Sequence, residues 1–115
     1  MNVQNIGSPQ GRGYVEQVAF DRFEMGEILA VYGRYVAAGL WRDYGISCLR
    51  ERAVFSIFRR AAENPLYRVE KIPALRQKQG LYALIGPEGQ VLKRGASLRG
   101  GVLAPLERKL LRALD

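Results

Sequence analysis

The hydrophobic and polar positions of the chain repeat with a helical period in two places. Over residues 21–38, apolar side chains recur at steps of three and four, which predicts an amphipathic helix. Asp21 suits the N-cap of this helix, Glu24 stands where a capping box needs it, and Gly39 suits the C-terminus. Leucines recur in the same way over residues 103–114, which predicts a second helix with Pro105 in its first turn.

The first predicted helix carries two stripes of different residue size. The large apolar stripe, which we expect to face the core, comprises Met25, Ile28, Leu29, Tyr32, Val36 and Leu40. The small stripe comprises Gly26, Ala30, Gly33 and Ala37. Each internal glycine lowers helix stability by about 1 kcal/mol relative to alanine, so we expect something to approach the backbone closely there. Another element of the same fold or a partner protein would explain the small stripe.

Between the two helices the pattern changes to short apolar or alternating runs separated by turn residues. These runs predict strands over residues 46–49, 53–60, 66–71, 81–85 and 90–94, and a further strand over 14–20 precedes the first helix. Residues 41–45 are predicted as a loop and 95–101 as a loose connection. Strands joined by short turns favour antiparallel pairing. The sequence therefore predicts a disordered tail at residues 1–13 and one α+β domain at 14–115, with a mostly antiparallel sheet of about five or six short strands.

The composition excludes several kinds of catalytic and metal site but does not identify a function. Of 115 residues, 48% are hydrophobic and 25% charged, which is typical of an ordinary single domain. The chain has no histidine and a single cysteine, Cys48, which excludes Ser-His-Asp and Cys-His nucleophile activation and ordinary His-containing zinc sites. We therefore predict no catalytic residue, no metal ligand and no cofactor. An enzyme that uses only carboxylates such as Asp43, Glu63 or Glu70 is the less favoured alternative.

The cytoplasm is the predicted location. Residues 1–13 lack the basic start and the apolar run of a signal peptide. No uncharged stretch approaches the roughly 20 residues that cross a bilayer, so we expect no membrane association. A lone cysteine gives no support to an oxidising compartment.

The positive charge is concentrated in the middle of the chain. Residues 42–99 carry twelve basic and five acidic residues, so their formal charge of +7 equals that of the whole chain. Such a surface attracts polyanions, and we predict nucleic acid or an acidic protein as the partner. The candidate contact residues are Arg42, Arg59, Arg60, Arg68, Lys71, Lys93 and Arg94. Because side chains alternate along a strand, at most half of the strand residues can share one face, and a solvated surface without a partner is the alternative.

Two tyrosines and a tryptophan could add to recognition. Tyr67 and Tyr82 lie on predicted strands, where exposed rings would stack on bases. The segment Trp41-Arg42-Asp43-Tyr44 is rich in the residue types that dominate interaction hot spots, although Trp41 would equally well close one end of the core. Trp41, Tyr44 and the small-residue positions Gly26, Ala30 and Gly33 therefore support an alternative function in protein–protein interaction or self-association. The sequence leaves the oligomeric state open.

Five segments carry a resemblance to a known family: Val31-Tyr32-Gly33-Arg34, Trp41-Arg42-Asp43-Tyr44, Ala53-Val54-Phe55-Ser56-Ile57-Phe58-Arg59-Arg60, Pro65-Leu66-Tyr67-Arg68-Val69-Glu70-Lys71 and Leu92-Lys93-Arg94-Gly95. Through them the chain resembles an uncharacterised bacterial family, a domain of unknown function found mainly in alphaproteobacteria. The resemblance covers somewhat more than half of the chain and implies a bacterial, intracellular protein. It implies no activity, so no catalytic or binding residue follows from it.

Overall fold

Two α-helices and five strands are the main elements of the part of the chain that the structure describes. The computed structural model describes residues 16–60 and 64–114. Its main elements are α1 (Arg22–Ala37), β1 (Asp43–Cys48), β2 (Ala53–Phe58), β3 (Tyr67–Lys71), β4 (Tyr82–Ile85), β5 (Val91–Gly95) and α2 (Ala104–Leu114). Each strand pairs antiparallel with the next, in the order β1-β2-β3-β4-β5. The predicted α+β class, the antiparallel sheet and both helices are confirmed.

Helix α1 begins with the predicted capping box. The Asp21 carboxylate accepts from the Glu24 backbone N–H at 2.8 Å, and the Glu24 carboxylate accepts from the Asp21 backbone N–H at 2.7 Å. These two bonds satisfy backbone donors that the first turn of a helix leaves unpaired. The helix ends before Gly39, whose φ of +79° lies in the left-handed region that glycine adopts without strain.

The predicted core stripe of α1 is only partly right. The buried residues are Glu24, Ile28, Val31 and Tyr35. Three members of the predicted stripe, Leu29, Val36 and Leu40, are 37%, 41% and 39% exposed. The helix is rotated because polar groups hold it: the Tyr35 hydroxyl donates to the Leu106 carbonyl of α2 at 2.7 Å, and Glu24 is bound to the sheet. The pattern of apolar positions along the helix does not reveal such long-range polar contacts.

The hydrophobic core lies between one face of the sheet and the two helices. Central strands supply Phe55, Val69 and Leu84, and the helices supply residues such as Ile28 and Leu106. The predicted loose connection at residues 95–101 is wrong in part. Leu98–Val102 forms a short irregular helical segment whose two end residues are buried in the core.

The start of the sheet also differs from the prediction. Strand β1 begins at Asp43, inside the predicted loop, because its register with β2 extends to the pair Asp43 and Phe58. Residues 16–20 form no strand, and Val18 makes one backbone hydrogen bond to the Leu49 carbonyl at 2.8 Å. The rest of that predicted strand, the predicted tail at 1–13 and Glu63 lie outside the described residues.

Candidate functional site

The sheet has two chemically different faces. Residues directly opposite one another on paired strands project from the same face. The row Phe55, Val69, Leu84 and Lys93 therefore lies on the helix side, since the first three belong to the core shared with α1 and α2. The opposite side, called here the open face, carries Val54, Ser56, Arg68, Glu70, Ala83, Ile85 and Arg94. No helix of the described residues packs on the open face, although four of its residues are buried: Val54, Glu70, Ala83 and Ile85.

A buried carboxylate holds two arginines on the open face. Glu70 is 5% exposed. One of its oxygens accepts from Arg52 Nη1 at 3.1 Å, and the other lies 3.5 Å from Arg68 Nε. A carboxylate excluded from water is costly unless charged donors surround it, and these arginines supply them. They are themselves partly exposed, so their remaining N–H groups are available to an anion.

Arg94 adds a third guanidinium to the open face. Its register partner is Ala83, which in turn stands beside Glu70, so the three residues form one row across β3, β4 and β5. Arg94 Nη1 is buried and has no hydrogen-bond partner among the described residues. A buried donor of this kind is normally paired, so it is a place where an acceptor from a ligand would be stabilised.

A basic pocket adjoins the end of the sheet near the β1–β2 turn. This open pocket of about 640 Å³ is lined by Glu16, Gln17, Val18, Ala19, Arg50, Lys71, Pro73 and Arg76. Lys71 Nζ is already engaged, by the Glu24 carboxylate at 2.8 Å and by the Ala19 carbonyl at 2.9 Å. Arg50 and Arg76 make no ion pair within the described part of the chain. The pocket thus extends the positive surface around the end of the sheet that carries Arg52.

The structure divides the predicted contact residues into three groups. Arg68 and Arg94 share the open face, whereas Lys71 and Lys93 project from the helix side, opposite Tyr82 and Leu84. A third group, at the other end of β2 from Arg52, comprises Arg42, Arg59 and Arg60. The predicted set therefore does not form one contiguous patch.

The tyrosines proposed for base stacking lie on the helix side of the sheet. Tyr82 is buried, and its hydroxyl donates to the Glu24 carboxylate. The Tyr67 ring lies 6.1 Å from that of Trp41, and Lys109 Nζ stands 5.6 Å above it. Neither ring belongs to the open face, and the predicted exposure of Tyr82 is wrong.

The candidate interaction residues also differ in how far they are buried. Trp41 is 4% exposed and stacks on Tyr35 with ring centroids 3.7 Å apart, so it closes the core as in the alternative explanation. Tyr44 stacks on Phe55 but keeps an exposed edge. Gly26, Ala30 and Gly33 are exposed. A Cβ atom built on either glycine would meet no atom within 4 Å, so within the described chain no element approaches the small stripe closely.

Sequence reasoning missed Arg52, the closest partner of Glu70. The segment Arg50-Glu51-Arg52 has the pattern of a charged turn, and it forms one. A usable signal is nevertheless present, because Arg52 is two positions before Val54 and therefore shares its face if the strand is extended backwards. The sequence alone does not show that this face carries the site, because only the register places Val54 beside Glu70.

Neither a metal site nor a membrane span is found in the described residues. No group of three His, Cys, Asp or Glu side chains is arranged to hold a metal ion in the described ranges. Among those same residues, no helix has both the length and the apolar character that crossing a membrane requires.

The fold and the site define a two-layer α+β domain, in which helices cover one sheet face and arginines occupy the other. Residues 18–102 match the model of a family described as Protein of unknown function (DUF2794), and the chain belongs to that family. The predicted membership of an uncharacterised family is thereby confirmed. No curated protein and no solved structure matches the chain.

Proposed function

We propose that this chain is a small, non-catalytic binding module that contacts nucleic acid through the open face. One observation carries the proposal: Arg52 and Arg68 bind the Glu70 carboxylate and Arg94 lies in the same cross-strand row, on a sheet face that no described helix covers. Arginine presents donors in a planar fork that matches phosphate oxygens, and several such forks on one surface suit a polyanion. The cytoplasm is the compartment we propose for this activity.

The arrangement favours contacts to phosphates over contacts to bases. Glu70 orients Arg52 and Arg68 before any ligand arrives, so less side-chain freedom is lost on binding. Tyr67 and Tyr82 lie on the helix side and offer no stacking platform on the open face. The proposed binding is therefore largely independent of base sequence and decreases steeply with salt, as expected when phosphate contacts release counterions.

Fluorescence anisotropy with a short single-stranded RNA and a short DNA duplex, over a salt series, tests the proposal. The triple variant Arg52→Ala, Arg68→Ala and Arg94→Ala should bind more weakly, and its salt slope on duplex DNA should fall by up to about 3. The matched control is Arg34→Ala, Arg108→Ala and Arg112→Ala. It removes the same charge from exposed helix positions and should retain most of the affinity.

The control variant distinguishes binding through the open face from electrostatic attraction to the net charge of the protein. Equal losses in the two triple variants would mean that net charge alone causes binding, which contradicts a role for the open face. Flat anisotropy for wild-type protein at low salt, with both ligands, would contradict the nucleic-acid proposal and leave an acidic protein as the partner to seek.

A further inference from the structure

We propose that the basic pocket beside the β1–β2 turn binds a small phosphate ester with a hydroxyl-rich, non-aromatic body, such as a sugar phosphate. The inference goes beyond contact with nucleic acid and does not depend on it. Arg50, Lys71 and Arg76 line the pocket, and none of these residues is among those of the open face. Binding at one site can therefore be lost while binding at the other is kept.

The pocket lies where three segments of the chain meet: the residues before α1, the β1–β2 turn, and the residues at and after the end of β3. Hydrogen bonds join these segments to one another. The Val18 N–H donates to the Leu49 carbonyl at 2.8 Å, and Lys71 Nζ donates to the Ala19 carbonyl at 2.9 Å. The walls are therefore already held in place, and little conformational freedom is lost when a ligand binds.

The charge of the lining fits a phosphate monoester. Three basic side chains, those of Arg50, Lys71 and Arg76, come from three different segments, and Glu16 is the one acid among the described lining residues. The lining therefore has a formal charge of +2. A phosphate monoester carries about −1.5 to −2 at neutral pH, and the planar donor fork of arginine matches its oxygens.

The three basic groups have hydrogen-bond donors left for a ligand. The Lys71 side chain is only 14% exposed, and two of its three N–H groups are used, by Glu24 at 2.8 Å and by the Ala19 carbonyl at 2.9 Å. One N–H remains on a cation whose position is fixed. Arg50 and Arg76 are exposed and form no ion pair with any acid that the structure describes. Their guanidinium groups are therefore free to close on a phosphate.

The size and the remaining lining residues indicate the body of the ligand. The volume of about 640 Å³ is within the range of roughly 300–1,000 Å³ that is usual for small-molecule sites, so there is room for more than a phosphate group. None of the described lining residues is aromatic, so a nucleobase would find no ring on which to stack. Glu16 and Gln17 offer a carboxylate and an amide, which form hydrogen bonds with hydroxyl groups. These features favour a sugar phosphate over a nucleotide.

Titration of the full chain with glucose 6-phosphate, followed by the amide signals of Val18, Ala19 and Arg76 in NMR spectra, tests the inference. The dissociation constant should be at least about tenfold lower than that of inorganic phosphate, and glucose should leave these signals unchanged. Arg76→Ala and Arg50→Ala should each raise the constant at least about tenfold. Lys78→Ala is the matched control, because it removes the same charge from an exposed position outside the pocket, and it should change the constant less than about twofold.

The open-face variant with Arg52→Ala, Arg68→Ala and Arg94→Ala distinguishes the two sites. It should keep its affinity for glucose 6-phosphate within about twofold, and a loss of that affinity would overturn the inference because the ester would then bind at the open face. Equal affinities for glucose 6-phosphate and inorganic phosphate would also overturn it, as would equal effects of Arg76→Ala and Lys78→Ala. Tighter binding of adenosine monophosphate than of glucose 6-phosphate would contradict the non-aromatic body.

Discussion

Lys71 Nζ donates a hydrogen bond of 2.8 Å to the Glu24 carboxylate, and this contact joins the end of β3 to the first turn of α1. The Tyr82 hydroxyl of β4 donates to the other oxygen of the same carboxylate. Burial alone would raise the pKa of Glu24, but the hydrogen bonds from Lys71, Tyr82 and the Asp21 backbone outweigh it and lower the pKa. The carboxylate therefore acts as the tether that fixes the rotation of α1 on the sheet.

Removing this tether should destabilise the fold. We expect Glu24→Ala to lower the free energy of unfolding by roughly 3–5 kcal/mol, because it leaves the Lys71 charge largely buried without a counterion. Glu27→Ala on the exposed side of the same helix is the control and should change it by less than about 0.5 kcal/mol. Urea unfolding followed by circular dichroism measures both. A loss below about 1 kcal/mol for Glu24→Ala would show that the tether is not a major contributor.

Alkaline pH should destabilise the protein through two tyrosines. Burial raises the pKa of Tyr35 from 10.0 to about 12, and burial together with the Glu24 carboxylate raises the pKa of Tyr82. A raised pKa means that the fold favours the neutral phenol, so this stability is complete below pH 10.0 and is lost as the pH rises towards the folded-state values. Urea unfolding at a series of alkaline pH values should show a decline, which Tyr35→Phe makes shallower. An unchanged slope in that variant would contradict the assignment.

Trp41 should matter for stability rather than for contact with a partner. We expect Trp41→Ala to cost about 3–5 kcal/mol, because it opens a cavity beside Tyr35 in a closely packed core. Leu40→Ala, at an exposed neighbouring position, should cost less than about 1 kcal/mol. Thermal unfolding by circular dichroism compares the two. A Trp41→Ala variant as stable as Leu40→Ala would mean that the indole is not part of the core.

Gly80 is required by its surroundings as well as by its backbone conformation. It has a φ of +105°, and a Cβ atom there would lie 2.8 Å from the Gly95 backbone. Gly89 has a φ of +83° with nothing within 4 Å. We expect Gly89→Ala to cost about 1–2 kcal/mol from left-handed strain alone, and Gly80→Ala to cost clearly more. If both variants lose the same free energy of unfolding in chemical denaturation, the backbone around residues 80 and 95 relaxes without cost.

Glu70 restrains the arginines of the open face, so its removal should affect binding and stability in opposite directions. We expect Glu70→Ala to bind duplex DNA more tightly with a steeper salt slope, because Arg52 and Arg68 lose their internal acceptor. The same variant should be less stable, since it removes the counterion of both arginines. Glu88→Ala, an exposed turn residue, is the control for charge. If the two variants gain affinity equally, the gain reflects net charge and not the open face.

The sequence determined the features that depend on neighbouring residues. The capping box of Asp21 and Glu24, the turn at residues 86–89 and the leucines of α2 all act within a few positions of one another, so each was predictable. The order of elements and the antiparallel sheet followed from runs that short turns connect. The lack of histidine, a property of composition alone, excludes the chemistry that depends on an imidazole.

Tertiary structure alone decided which side of each element is covered. The rotation of α1 depends on the contacts of Glu24 with Lys71 and of Tyr35 with Leu106, which join residues 47 and 71 positions apart. The site depends in the same way on register, because a shift by one residue would move Arg68 and Arg94 to the helix side and Lys71 and Lys93 to the open face. Alternation along a strand divides its side chains into two sets, one for each face of the sheet. Only packing against the helices decides which set is covered and which is left on the open face.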